Sequence, residues 1–224
     1  MIIFVGSFIF TDMEKSIKLD YSPSNIALQF GIKRQKECTH LNDWLHARYE
    51  LNELERMLFN QGFSNAAENI DYWNEEELKI RLVGLLFLIA NIEENNNIKV
   101  FYERTIAGNI NGVDLSVKSD CFVATSSDFN SPIHPYFFLQ EFKKMRGEKK
   151  DPEGQMLAAM IISQSLNNDN KPVYGGFMIG SNWWFTTLVE KSYCCSKKFD
   201  TTDQNSLLQI VFMLRKLKEL ILNR

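Results

Sequence analysis

Cysteine and long apolar runs are scarce in this chain of 224 residues, and each shortage excludes a class of protein. The four cysteines have no Cys-x-x-Cys spacing, and two of them, Cys194 and Cys195, are adjacent. That pattern favours reduced thiols in a cytoplasm over a disulfide framework or a zinc site. The apolar run at residues 1–10, MIIFVGSFIF, is too short to span a bilayer.

The same N-terminal run lacks a basic segment before it and a clear cleavage site of small residues after it. We therefore expect no signal peptide. Two interpretations stay open: the run is a short buried strand, or translation starts at Met13 and the native protein lacks it. N-terminal mass spectrometry of the native protein distinguishes them.

Several sequence motifs of well-known enzyme classes are also missing. The chain has no Gly-x-Gly-x-x-Gly, no Walker lysine loop and no Gly-x-Ser-x-Gly elbow, which argues against dinucleotide binding, P-loop chemistry and α/β-hydrolase chemistry. The formal net charge of −3 argues against a uniformly basic protein that coats DNA, although a local basic patch remains compatible with it.

Hydrophobic residues make up 45% of the chain, enough for a substantial core. Residues 1–73 are predicted to form a helical extension packed on the main domain, because no Gly/Ser/Pro-rich linker separates the two. The apolar spacing from Leu41 to Leu58 predicts one amphipathic helix, which Gly62 is expected to stop. Residues 74–224 are predicted to form the main domain.

The main domain shows alternating helical and strand patterns. A helix is predicted at about residues 75–92, followed by strands at Ile98–Ala107, Val113–Ala124 and Tyr136–Lys143, a helix after Asp151, strands at Pro172–Gly180 and Trp183–Tyr193, and a C-terminal helix. Asn111-Gly112 marks an antiparallel hairpin between the first two strands. This order predicts an α/β domain with a central mixed sheet and helices on both faces.

Charged residues end the third of these strands, where a buried strand should carry none. Tyr136-Phe137-Phe138-Leu139 is followed by Gln140-Glu141-Phe142-Lys143. Buried charges cost free energy unless they are paired or used. Glu141 and Lys143 share one face of the strand, and Asp120 on the preceding strand can lie near them. We therefore expect two carboxylates and a lysine at one place on the sheet.

An Asp on one strand, Glu-x-Lys on the next and a Gln on the following helix resemble the PD-(D/E)xK nuclease superfamily. The likeness is greatest to the endonuclease-like domains of restriction systems and related uncharacterised bacterial proteins. The matching residues are Asp120, Glu141, Lys143 and Gln155, and the resemblance covers roughly residues 74–222. The chain departs from the pattern that names the superfamily, because no Pro-Asp pair precedes Glu141 and Asp120 follows Ser119.

The resemblance implies a restriction endonuclease-like core and metal-dependent hydrolysis of phosphodiester bonds. Asp120 and Glu141 would hold Mg²⁺ or Mn²⁺, for which carboxylate oxygens are suitable ligands. Lys143 would be catalytic. Gln155 would orient water or substrate, or it is an ordinary glutamine on a helix surface.

The superfamily often adds a Glu from its first helix to the metal site. Glu76 and Glu77 are the candidates, in the acidic triplet that opens the helix at about residue 75. The competing interpretation is helix capping, because Asn74 is a suitable N-cap and Glu77 occupies the third helical position of a capping box. For any single one of these glutamates, capping is favoured over catalysis.

One basic run follows the third strand and carries the predicted nucleic-acid contacts Lys144, Arg146, Lys149 and Lys150. It is either a solvated loop or a lip that contacts phosphates. The resemblance implies a cytoplasmic protein that acts on nucleic acid, with DNA favoured over RNA, has no membrane association and forms a possible homodimer. The alternative function is a catalytically inactive nuclease-fold protein that binds nucleic acid or serves a defence complex.

Overall fold

The structure is a computed structural model that describes residues 20–94, 98–143 and 151–223, with side chains for all of these except 134–143. The strands in the described ranges are β1 (Lys33–Arg34), β2 (Lys99–Ile110), β3 (Val113–Ser126), β4 (Pro132–Lys143), β5 (Val173–Ile179), β6 (Asn182–Val189), β7 (Ser192–Cys195) and β8 (Phe199–Asp200).

The helices are α1 (Pro23–Phe30), α2 (Thr39–Leu45), α3 (Glu53–Asn69), α4 (Glu75–Leu78), α5 (Gly84–Ala90), α6 (Pro152–Asn167) and α7 (Gln204–Leu222). A π-helical segment, Lys79–Val83, joins α4 to α5, so the helix predicted at about residues 75–92 is continuous. A short 3-10 turn, Ile70–Tyr72, precedes α4. In the part of the chain that the structure describes, no helix combines the length and apolar character needed to cross a bilayer.

The strands form one mixed sheet in the order β1-β7-β6-β5-β4-β3-β2, with β8 paired to β6. β4 runs parallel to β5, and β1 runs parallel to β7, whereas the other pairs are antiparallel. The predicted α/β class with a mixed sheet is therefore confirmed. The sequence prediction missed β1, β7 and β8, because runs of two to four residues are too short to show alternation.

The predicted β2–β3 hairpin is confirmed, and local chemistry explains its turn. Asn111 and Gly112 both have positive φ, 53° and 83°, as a tight two-residue hairpin turn requires. The Asn109 side chain accepts a hydrogen bond from the Gly112 N–H at 3.0 Å and donates one to Asp114 at 2.7 Å. The turn therefore specifies the register that carries Asp120 to its position in β3.

Helices cover both faces of the sheet. One apolar layer packs α2, α3, α5 and α7 against the sheet, and the other packs α1 and α6 against the opposite face. Successive residues of β3 enter different layers, with Phe122 in the α6 layer and Cys121 and Val123 in the α7 layer. This alternation is the two-residue period of a strand buried on both faces.

The start of α6 confirms the predicted cap. The Asp151 side chain accepts hydrogen bonds from the N–H groups of Glu153 and Gly154 at 2.9 and 3.2 Å, and Pro152 occupies the first helical position. Gly154 lies so close to the Tyr21 carbonyl that a Cβ at this position would overlap it. Glycine therefore permits the close approach of α6 to the segment that leads into α1.

The prediction of one helix from Leu41 to Leu58 is wrong, because α2 and α3 are separate helices. α3 begins at a reciprocal capping box, in which Asn52 accepts from the Glu55 N–H and Glu55 accepts from the Asn52 N–H, both at 2.9 Å. Gly62 does not stop α3; it is buried inside the helix, where a Cβ would overlap the Leu85 side chain.

The prediction that all four cysteines are reduced thiols is wrong for one pair. Cys38 and Cys194 form a disulfide with their Cα atoms 6.3 Å apart, although 156 positions separate them in the sequence. Cys121 and Cys195 keep their thiols, and burial raises the pKa of Cys195 to about 12. The disulfide links the segment before α2 to β7.

Candidate active site

Asp120 is a buried carboxylate in β3, only 7% exposed. Its Oδ1 lies 3.6 Å from the Nζ of Lys79, which approaches from the helix that runs over this face of the sheet. A buried carboxylate needs such a partner, because transfer of an unpaired charge from water into the protein interior costs several kcal/mol or more. The sequence-predicted Asp120 is therefore part of a charged group inside the fold.

Lys79 is the centre of that group and is 5% exposed. Its Nζ lies 3.6 Å from Glu75 and 3.1 Å from Glu76, and it also forms an ion pair with Glu103 and the longer contact with Asp120. We call these five residues the Lys79 cluster. Burial by itself lowers the pKa of Lys79, but the hydrogen bonds to Glu103 and Glu76 and the charge of Asp120 outweigh burial and raise it. Lys79 is therefore a permanent cation at neutral pH.

Glu103 contributes a second carboxylate from β2. It forms ion pairs with two lysines, the buried Lys79 and the exposed Lys118, whose Nζ lies 2.6 Å from Glu103 Oε2. The hydrogen bonds from Lys118 and then Lys79 hold the pKa of Glu103 below its ordinary value. Glu103 therefore links a buried lysine to an exposed one.

The backbone is irregular at Glu103, which lies in the middle of β2. Glu103 has φ 54°, a left-handed conformation that costs free energy for any residue with a Cβ. Phe101 and Ile106, on either side of Glu103, pack in the same apolar layer although they lie five positions apart. Strict alternation would place residues an odd number of positions apart on opposite faces. The two strands therefore exchange faces at this point. Because such strained conformations concentrate at functional sites, the exchange motivates a functional hypothesis.

The two glutamates proposed from the first helix have different surroundings. Glu76 contacts Lys79, while most of its side chain is exposed to solvent. Glu77 completes the predicted capping box, in which Asn74 and Glu77 each accept from the other's N–H at 2.9–3.0 Å, and it also lies 3.5 Å from Arg81. The structure therefore brings Glu76, and not Glu77, to the Lys79 cluster.

The backbone of β4 runs beside Asp120. Cys121 pairs with Gln140 in the antiparallel β3–β4 register, so Asp120 and Glu141 are the next residues on each strand. On the other side, Glu141 and Lys143 pair in register with Phe177 and Ile179 of β5. The side chains of Glu141 and Lys143 lie outside the described positions, as do Lys144, Arg146, Lys149 and Lys150 altogether.

Gln155 lies in the first turn of α6, which packs against β4 and β5. It is 7% exposed, so the interpretation as an ordinary surface glutamine is wrong. Its buried Oε1 has no hydrogen-bond partner among the described residues. An unsatisfied buried oxygen costs about 1–3 kcal/mol and calls for an explanation such as a bound water or ligand.

A cleft of about 260 Å³ lies beside the cluster, lined by Ile70, Asp71, Trp73, Asn74, Glu75, Leu78 and Gly180. Glu75 belongs to both the cleft and the Lys79 cluster. Gly180 follows Ile179, the residue that pairs with Lys143 at the end of β4. The cleft therefore lies at the carboxyl ends of the parallel strands β4 and β5, where open α/β sheets commonly bind ligands.

The carboxylates of the cluster suit a hard cation such as magnesium in chemistry, because all are oxygen ligands. The carboxylate oxygens of Glu75, Glu76 and Asp120 lie 3.1–3.6 Å from Lys79 Nζ, which is the spacing of ion pairs with an ammonium. Oxygens that bind Mg²⁺ lie closer to the metal, at about 2.0–2.1 Å. Within the described residues, no group of three or more His, Cys, Asp or Glu could hold a metal ion. A metal site at Asp120 therefore fits only if β4 supplies a further carboxylate.

Lys79 was not among the site residues predicted from the sequence. It lies within the predicted apolar helix, and no local pattern distinguishes a lysine that points inward from one that extends into solvent. The available signal was the i, i+3 and i, i+4 spacing from Glu76 and Glu75, which predicts an ordinary surface ion pair. Its burial depends on the contacts with Asp120 and Glu103, which are distant in sequence.

No known protein-family model matches the chain, and a search of curated proteins found no match.

The shifted pKa of Glu103 predicts a pH dependence of stability. Because the folded-state pKa lies below the ordinary value of 4.5, Glu103 stabilises the fold above pH 4.5, and this contribution is lost as the pH falls through the lower folded-state value. We expect the free energy of unfolding of the wild type to fall more steeply below pH 4.5 than that of Glu103→Gln. Urea unfolding between about pH 3 and 7 measures both, and parallel curves would contradict the prediction.

Proposed function

We propose that this protein is a metal-dependent nuclease that hydrolyses phosphodiester bonds, with DNA favoured over RNA as the substrate. The proposal depends on one observation. The β3–β4 register, read one residue beyond the Cys121–Gln140 pair, brings Glu141 beside the buried carboxylate of Asp120. Two strands thus bring two acidic residues to one place on the sheet, next to a cleft.

The arrangement of elements supports this proposal. A helix (residues 75–90) leads into three antiparallel strands, β2–β4, after which α6 crosses over to β5, and β5 runs parallel to β4. That is the element order expected from the resemblance to the PD-(D/E)xK superfamily. Fold order alone does not define chemistry, so the proposal depends on the residues at the carboxyl end of β4.

In this proposal, Asp120 and Glu141 hold Mg²⁺ or Mn²⁺, with Glu76 as a further ligand. The cation would polarise a phosphate oxygen and acidify a bound water. Lys143 positions that water and balances the negative charge that develops at phosphorus. Gln155, whose amide oxygen is buried and unsatisfied among the described residues, orients water or substrate from α6.

The basic run after β4 would contact the nucleic-acid backbone through Lys144, Arg146, Lys149 and Lys150. Such contacts with phosphates supply affinity without sequence specificity, and they weaken as salt concentration rises. In this proposal the protein acts in the cytoplasm, and a homodimer is a possible form because many enzymes of the resembled superfamily cut duplexes as dimers. In a cytoplasm, the Cys38–Cys194 disulfide would be exposed to reduction by cellular thiols.

The proposal predicts that the purified protein cleaves nucleic acid only when Mg²⁺ or Mn²⁺ is present. Single- and double-stranded DNA and RNA are incubated with each metal and with EDTA, and the products are resolved on gels. Lys143→Met is expected to abolish cleavage while leaving the far-UV circular dichroism spectrum unchanged, because it removes the ammonium but keeps an apolar chain of similar length.

Lys171→Met is the matched control, since it changes an exposed lysine in the loop before β5. Its cleavage should equal that of the wild type. Cleavage that survives in EDTA, or that Lys143→Met retains, would count against the proposal, since metal or Lys143 would then be dispensable.

A second candidate function is supported by Lys79 itself. Its ammonium already neutralises part of the charge of Asp120 and Glu103, as a silent buried ion-pair network would. Under this alternative, the protein binds nucleic acid or serves a defence complex without cutting. Binding of labelled DNA without cleavage in any metal would favour it over the nuclease.

A further inference from the structure

We propose that Lys79 is a positioning residue that acts through Asp120: its ammonium, 3.6 Å from the Asp120 carboxylate, holds that carboxylate in place and competes with a divalent cation for it. The inference rests on the proposed function for the choice of cation. It assigns to Lys79 a regulatory role, because a cation must overcome this internal counter-ion before Asp120 can bind it.

Among the described lysines, Lys79 and Lys118 both pair with Glu103 but differ in exposure. Lys79 is 5% exposed, and its ammonium is surrounded by its carboxylate partners. Lys118, which also pairs with Glu103, is largely exposed and is free to turn into solvent. A charge fixed inside the protein acts through a lower effective dielectric constant than one on the surface, and salt screens it less.

The charge balance of the cluster supports the competition. Among the described side chains, the carboxylates of Glu75, Glu76, Glu103 and Asp120 surround the ammonium of Lys79, and Glu103 also pairs with the exposed Lys118. Their oxygens therefore point toward a location that already contains a cation. If Lys79 is replaced by a neutral side chain, the carboxylates lose that charge, and an added divalent cation meets stronger attraction and less repulsion.

The local backbone is irregular on both sides of the Lys79–Glu103 ion pair. Lys79 begins the π-helical segment Lys79–Val83 inside an otherwise α-helical run, and Glu103 opposite it has the left-handed conformation described above. Two irregularities, one on the helix and one on the strand, thus meet at the same ion pair. π-helical segments of this kind frequently mark functional sites.

The experiment measures Mn²⁺ binding to the protein alone by isothermal titration calorimetry, without nucleic acid. Lys79→Met and Lys79→Gln are expected to bind Mn²⁺ at least about tenfold more tightly than the wild type, because each removes a fixed positive charge beside the ligand. Lys79→Arg keeps that charge and should bind no more tightly than the wild type. Lys118→Met is the matched control, and its affinity should change less than about twofold.

The outcomes distinguish the failure of one proposal from the failure of the other. Tighter binding by the neutral Lys79 variants, together with no cleavage by the wild type, supports the role of Lys79 and refutes the nuclease. Cleavage by the wild type with unchanged Mn²⁺ affinity in the neutral variants refutes the role of Lys79 alone. A lower melting temperature in Lys79→Met with unchanged Mn²⁺ affinity shows a merely structural lysine, and absence of Mn²⁺ binding in every variant overturns both proposals.

If Lys79→Met and Lys79→Gln do not fold, the double variant Lys79→Met/Glu103→Gln replaces them. It removes one carboxylate together with the ammonium, so the formal charge of the cluster equals that of the wild type and the uncompensated repulsion is relieved. The single variant Glu103→Gln is its reference. The double variant should bind Mn²⁺ more tightly than Glu103→Gln, and equal affinities would overturn the inference.

Discussion

Asp120→Asn should reduce cleavage by roughly 10²–10³-fold, because loss of a metal ligand removes about 3–4 kcal/mol of transition-state stabilisation. Asn keeps the shape of the side chain but loses the negative charge and one of the two carboxylate oxygens. Calorimetry should show weaker Mn²⁺ binding by the same variant. Lys79 keeps Glu75, Glu76 and Glu103 as ion-pair partners, so the variant should remain folded.

Asp114→Asn is the control for this prediction. Asp114 lies on the same strand but is exposed at the hairpin end, where it accepts a hydrogen bond from Asn109 at 2.7 Å. The amide oxygen of the substituted side chain can still accept that bond. Cleavage and Mn²⁺ affinity of Asp114→Asn should match the wild type. Full cleavage activity in Asp120→Asn would show that Asp120 does not hold the cation, and the nuclease proposal would fall with it.

Trp44→Ala should remove a large part of the stability of the fold. Trp44 in α2 is fully buried and makes edge-to-face contacts with Tyr174 and Phe185, each with ring centroids 5.1 Å apart. Truncation of a buried Trp typically costs about 3–5 kcal/mol. Its indole N–H also donates to the Met213 carbonyl at 2.7 Å, and loss of this hydrogen bond adds about 0.5–1.5 kcal/mol. The whole stability of a domain is about 5–15 kcal/mol.

Urea unfolding followed by circular dichroism measures this effect and also tests the domain division. If residues 1–73 are an extension packed on the main domain, Trp44→Ala should lower the midpoint of a single cooperative transition. A separate early transition would instead indicate an independently folding unit. Tyr72→Ala, which truncates a side chain that is 81% exposed, should leave the midpoint nearly unchanged.

The predictions that succeeded rest on interactions between residues close in sequence. Asn111-Gly112 makes a hairpin because these two residues tolerate positive φ, and Asp151-Pro152 begins a helix because its groups bond within one turn. The box formed by Asn74 and Glu77 is equally local. The apolar patterns of the longer strands and helices likewise predict a mixed sheet covered on both faces.

The predictions that failed depend on contacts between distant residues or on competing local signals. The disulfide joins cysteines separated by 156 positions, and no spacing rule relates them. Gly62 was expected to stop a helix, but its missing side chain instead admits Leu85. The boundary between α2 and α3 was missed because the apolar residues keep a helical spacing across it, although Asn52 begins a capping box there.

The sequence alone predicted the candidate residues Asp120, Glu141, Lys143 and Gln155, and it predicted the two strands and the helix, β3, β4 and α6, on which they lie. Tertiary structure decided that Lys79, rather than an exposed partner, meets Asp120. It did so because the strands exchange faces at Glu103, where the Lys79 ammonium lies within ion-pair distance of Asp120 and Glu103. A buried charge must be neutralised by whatever the fold brings within reach, and that neighbour is set by the packing of whole elements rather than by any local pattern.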